Sequence, residues 1–106
     1  MKKMRFGRYT LEKWSAEEYE VDCEALIDTH FRSEKQIAFV YFVTLKGKSV
    51  WGGGKMVEIA ATEEIMVKFT DGTFGYTENY GYLKCRVHSA NMLKCFKAML
   101  RSMNGF

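Results

Sequence analysis

The 106-residue sequence has no proline, only two histidines, three cysteines and no acidic residue beyond Glu78. The scarcity of histidine bears most on chemistry. His30 and His88 are the only imidazoles that could serve as a base for a nucleophile, and neither has the partners of a catalytic constellation. Cys85 and His88 are close in sequence but, three positions apart on a strand, they face opposite sides. A hydrolase or transferase is therefore not expected. Cys85, His88 and Cys95, with Cys23 or His30 as a fourth, are potential zinc ligands, but their spacings match no common structural site, so neither metal nor cofactor is expected. An odd number of cysteines without an export signal favours reduced thiols over a disulfide framework. The missing proline identifies nothing by itself. No uncharged run approaches the ~20 residues of a membrane helix, and Met1 to Arg8 carries charge without the apolar segment of a signal peptide. The expectation is a protein that stays in the cytoplasm where it is made.

What is present is enough for a packed core: 47% apolar residues, 15% aromatic, and 27% charged, in a chain of ordinary single-domain length. One domain spanning 1–106 is expected. Its organising stretch is Ile37 to Leu45, nine uncharged residues rich in β-branched and aromatic side chains, which read as a strand covered on both faces.

Taken in order, residues 5–11 can form a first strand. Ser15-Ala16-Glu17-Glu18 fits a capping box, with Trp14 and Tyr19 placed for a hydrophobic staple. A helix from Ala16 to about His30 would align Tyr19, Cys23, Leu26, Ile27 and His30. A strand is the competing reading, since Tyr19, Val21, Cys23, Ala25 and Ile27 alternate with Glu20, Asp22, Glu24 and Leu26, and the cap and staple, which do not depend on periodicity, favour the helix. After the central strand, Lys46-Gly47-Lys48 reads as a tight turn and Ser49-Val50-Trp51 as its short partner strand, with Gly52 to Gly54 as a bulge or loop. Glu64 to Thr70 reads as a strand, Asp71-Gly72 as a hairpin turn into Thr73 to Thr77, and Tyr82 to Val87 as a further strand. Ser89 is placed to cap a closing amphipathic helix with Met92, Leu93, Phe96, Met99, Leu100 and Met103 on its apolar side and Gly105 as its stop. The fold class is α+β: an antiparallel sheet centred on 37–45, the C-terminal helix across one face and an N-terminal helix beside it.

The net charge of +3 conceals a strong asymmetry. Between Glu12 and Asp28 seven acids face the single base Lys13, whereas after Glu78 only bases occur. On a helix, Glu17, Glu20, Glu24 and Asp28 would form one acidic strip, at steps of three and four. Lys84, Arg86, Lys94, Lys97 and Arg101 form a basic end suited to phosphates or to an acidic partner. Tyr76, Tyr80 and Tyr82 alternate with Gly75 and Gly81 in a composition typical of interfaces. These features point to binding rather than catalysis.

Two fragments invite comparison with nucleotide and nucleic-acid sites. Gly47-Lys48-Ser49 matches the tail of a phosphate-binding loop, but Phe42 stands where its first glycine belongs and no helix follows. Lys35-Gln36-Ile37-Ala38-Phe39-Val40-Tyr41-Phe42 resembles the octapeptide of the RNA recognition motif family, with Gln36 in place of the glycine and Ile37 in place of the first stacking aromatic. That resemblance implies a small RNA- or single-stranded-DNA-binding protein using Phe39, Tyr41 and the basic C-terminal residues. A broader resemblance rests on Met1 to Arg8, the acidic strip Glu17 to Asp28 and the basic end Lys84 to Arg101. In character the chain is similar to the small anti-defence proteins of phages and mobile elements, in particular the anti-CRISPR inhibitors of type II effector nucleases. That resemblance implies a stoichiometric inhibitor whose partner is the host CRISPR effector nuclease or its guide-RNA complex. The basic groove of such a nuclease would attract the acidic strip.

Overall fold

The computed structural model describes residues 1–45, 49–58, 62–77 and 83–103. Strands β1 (Lys2–Phe6) and β2 (Tyr9–Ser15) form a hairpin, so the first strand predicted over 5–11 is divided by a turn at Gly7 and Arg8, where Gly7 has φ 57°. Next come helix α1 (Ala16–Asp22), helix α2 (Ile27–His30), strand β3 (Phe31–Ser33) and strand β4 (Ile37–Leu45). A separate hairpin follows, β5 (Ser49–Gly52) and β6 (Lys55–Glu58). Strands β7 (Thr62–Phe69), β8 (Phe74–Thr77) and β9 (Leu83–Ser89) and helix α3 (Met92–Met103) complete the order.

Seven strands share one sheet in the order β1-β2-β4-β7-β8-β9-β3, antiparallel except for the β3–β9 pair. The α+β class and the sheet built around β4 are as the sequence predicts. Alternation along β4 supplies two cores. Tyr41 and Val43 join Leu11, Met66 and Phe74 beneath Cys95, Phe96 and Met99 of α3. Val40 and Ile37 join Val67, Phe69, Phe31 and Cys85 beneath Tyr19 and Ile27. A bulge between Ile37 and Phe39 resets the alternation, so that Ile37 and Val40 reach the same core although they are three residues apart.

Local chemistry accounts for the ends of the elements. Ser15 Oγ accepts from the Glu18 amide at 3.1 Å and Glu18 Oε1 accepts from the Ser15 amide at 3.2 Å, completing the predicted capping box. Trp14 and Tyr19 belong to the same core. At the β7–β8 turn, Asp71 Oδ1 accepts from the Thr73 amide at 3.0 Å and its hydroxyl at 2.6 Å, while Gly72 takes φ 91°. An ion pair with Lys35, together with those bonds to Thr73, holds the exposed Asp71 carboxyl well below the usual range.

Several expectations are corrected. The helix predicted over Ala16 to His30 breaks after Asp22: Cys23 caps α1, Glu24 adopts φ 50°, and the chain restarts at Ile27. A continuous helix would have turned Cys23, Leu26, Ile27 and His30 inward with Tyr19. The break exposes Cys23, Leu26 and His30 and keeps only Ile27 of the four inward, with Phe31 following on β3. The N-terminal helix also lies across the sheet from α3 rather than beside it, because Ala16 and Tyr19 pack on the other core. β5 pairs with β6 and not with β4, whose neighbours are β2 and β7. The cap of α3 moves from Ser89 to Asn91, whose Oδ1 accepts from the Lys94 amide at 3.0 Å, while Ser89 Oγ accepts from the Asn91 amide at 3.2 Å. The predicted turn at 46–48, and Tyr80, Tyr82 and Gly105, lie outside the described residues.

Candidate functional site

The two charged sets lie on opposite sides of the sheet. Glu17 is exposed in the first turn of α1, Glu24 occupies the left-handed bend, and Asp28 is exposed in the first turn of α2. Glu20 has a structural task, because its Oε1 accepts from the Ile27 amide at 3.2 Å and so starts α2. Glu18 is likewise engaged by the Met1 ammonium and by the capping box, which together lower its pKa. The predicted straight strip is thus a bent ridge, on which Glu17, Asp22, Glu24 and Asp28 are exposed. Apolar side chains interrupt it: Val21 is 75% exposed and Leu26 66%. A shallow groove of about 290 Å³ beside them is lined by Glu24, Ala25, Leu26, Thr29 and His30.

On the α3 side the arrangement is simpler. Lys94, Lys97 and Arg101 are all exposed and, at steps of three and four, form one stripe on the outer surface of α3. Lys84 and Arg86 flank the buried Cys85 on β9, so alternation directs them to the same side of the sheet as α3. The structure therefore gathers the predicted basic residues on one side. Tyr76 packs against the α3 core and meets His88, their ring centroids 6.0 Å apart, which makes it a framework residue as well as a surface one.

The octapeptide stretch does not present an open stacking platform. Phe39 and Tyr41 do share a face, but Tyr41 is only 3% exposed in the core beneath α3. Phe39 remains half-buried with the Lys13 ammonium 4.2 Å from its ring centre. Bases stacking on both rings would first have to displace α3.

No protein-family model matches the chain, and no curated protein or solved structure matches it either. The chemistry of the site thus rests on its own residues. Among the described residues no group of three or more His, Cys, Asp or Glu side chains is placed to hold a metal ion, and no helix is long and apolar enough to cross a membrane. Cys85 and Cys95 belong to the two different cores, and burial pushes both thiols up to about 12. His88 is exposed on the side of the sheet opposite Cys85. A thiol so disfavoured as thiolate is a poor nucleophile. One thiol of three, the exposed Cys23, is therefore expected to react quickly with an aromatic disulfide reagent in the native protein, and all three in urea. Three fast native thiols would contradict the burial of Cys85 and Cys95.

The exposed apolar residues Val21, Leu26 and Trp51 are not among the predicted site residues. The expected continuous helix takes in Val21 and Leu26, and the expected partner strand of β4 takes in Trp51. The signal for the latter was available: Val50-Trp51 and Met56-Val57 flank a glycine run, the pattern of an independent hairpin.

Proposed function

We propose that this is a non-enzymatic binding protein that inhibits a host nuclease, by docking its acidic ridge in the basic groove that otherwise holds nucleic acid. The observation that supports this reading is the gathering of exposed Glu17, Asp22, Glu24 and Asp28 on one ridge, across the sheet from the basic C-terminal residues, that also exposes Val21 and Leu26. Acids alone would be a solvated surface. Acids surrounding exposed apolar side chains offer both electrostatic steering and area to desolvate. The nuclease is taken to be a type II CRISPR effector or its guide-RNA complex, in keeping with the resemblance to anti-CRISPR proteins, and the protein acts in the host cytoplasm.

The test is stoichiometric titration of the purified protein into a guide-loaded effector, following cleavage of a DNA substrate. Inhibition should saturate near equimolar protein and weaken as salt is raised. Reversing Glu17 and Asp28 to lysine should slow association by roughly tenfold or more, with an unchanged circular dichroism spectrum because both are exposed. Glu20 is unsuitable for this purpose, since its loss would release the start of α2. Neither inhibition nor complex formation at micromolar concentration would refute the reading, and full inhibition by the doubly reversed variant would remove the ridge as the interface.

A further inference from the structure

Among the described residues, no side chain of the β5–β6 hairpin belongs to either core. Trp51 is 71% exposed and Met56, directly opposite it across the hairpin, is 59% exposed. Val57, on the other face of the same ribbon, is exposed as well. A two-stranded hairpin in water is marginally stable, and a folded chain gains nothing within itself by displaying a tryptophan at its end. The exposure makes sense when something covers the ring.

The composition of this segment indicates what that is. In the sequence, residues 46–58 carry Lys46, Lys48 and Lys55 against the single acid Glu58, and of these lysines the exposed Lys55 lies within the described hairpin. By register, β4 ends at Leu45 opposite Tyr9, at the end of the sheet that carries the β1–β2 turn with exposed Arg8. Gly53 and Gly54, with φ 58° and 79°, form a turn without side chains, with nothing within 4 Å of either position where a Cβ would stand. Such a turn lets backbone approach a ligand closely. An exposed indole on a lysine-bearing ribbon matches the chemistry that binds unpaired nucleic acid, in which aromatic rings stack on bases and ammonium groups meet phosphates.

We propose that the β5–β6 hairpin is an arm that binds single-stranded nucleic acid, with Trp51 stacking on a base, Met56 packing beside it and Lys55 contacting the backbone. This site is distinct from the Phe39–Tyr41 face, which α3 closes, and it does not depend on the acidic ridge or on any inhibited enzyme.

The test is fluorescence anisotropy with labelled single-stranded oligonucleotides, DNA and RNA, and a duplex of equal length. The wild-type protein should favour the single strands. Trp51→Ala should weaken that binding by roughly 5- to 150-fold, the range set by one base–aromatic stack, while Trp51→Phe retains most of it. Lys55→Ala should reduce the salt slope by about 0.7. None of the three should shift the urea midpoint, since the residues lie outside both cores. Equal binding by Trp51→Ala and wild type, or no binding of any oligonucleotide by wild type, would overturn the proposal. So would a Trp51→Ala variant that loses a protein partner but binds single strands normally, because the arm would then be a protein contact.

Discussion

Replacing Gly75 by alanine is expected to leave little soluble, folded protein. A Cβ built at this position would meet the Arg86 carbonyl oxygen at 2.0 Å and its carbon at 2.8 Å, with the Phe69 ring at 3.1 Å. The first two atoms belong to the backbone of the neighbouring strand, so no rotamer change relieves the contact. β8 and β9 would have to separate beside the irregularity between Phe74 and Gly75, and with them the route that connects the sheet to β3 at its edge. Overpacking usually costs about 1–3 kcal/mol where side chains can adjust. A backbone clash belongs at or beyond the top of that range, a large part of a typical ~5–15 kcal/mol total. Urea unfolding of whatever soluble protein is recovered measures the loss. A second substitution, Phe69→Ala, should not rescue the variant, because it removes only the more distant contact. A Gly75→Ala protein with a wild-type urea midpoint would mean that the β8–β9 register is wrong.

Phe31→Ala should produce the next largest loss, roughly 3–5 kcal/mol, the usual cost of emptying a fully buried phenylalanine site. Phe31 is 1% exposed and its ring lies 5.3 Å from that of Tyr19 and 4.8 Å from that of His30, measured between centroids. It therefore connects α1, α2 and the one parallel strand of the sheet. The urea midpoint should fall at unchanged slope, and Phe31→Leu should recover much of the difference by refilling the space. A cost below about 1 kcal/mol would show that β3 and α2 are not docked on this core. The consequence extends to function, since the same docking positions Asp28 and the bend at Glu24 on the acidic ridge.

How far the residues declare this arrangement depends on the distance over which each is decided. The Ser15–Glu18 capping box, the Asp71-Gly72 turn and the amphipathic α3 were legible because each is settled within a few positions along the chain. Ile37 to Leu45 was legible for a related reason: an uncharged run of β-branched and aromatic residues has few stable places other than the interior of a sheet. The break at Glu24 was not legible. Periodicity alone allowed a helix through His30, and only competition for the core decided that Ile27 and Phe31 would be buried and Leu26 left in water.

The candidate sites divide in the same way. Charge asymmetry, the poverty of histidine and the scattered cysteines were properties of the sequence itself, and they directed attention to binding. Tertiary structure alone decided that the acidic ridge and the basic C-terminal residues would occupy opposite sides of one sheet, that α3 would cover Tyr41, and that Trp51 would stand exposed on a separate hairpin. Sequence determines which groups a chain carries and its short-range turns and caps. Which groups face solvent depends on strand order and on which face each helix covers, and both are set by contacts between residues far apart in the chain.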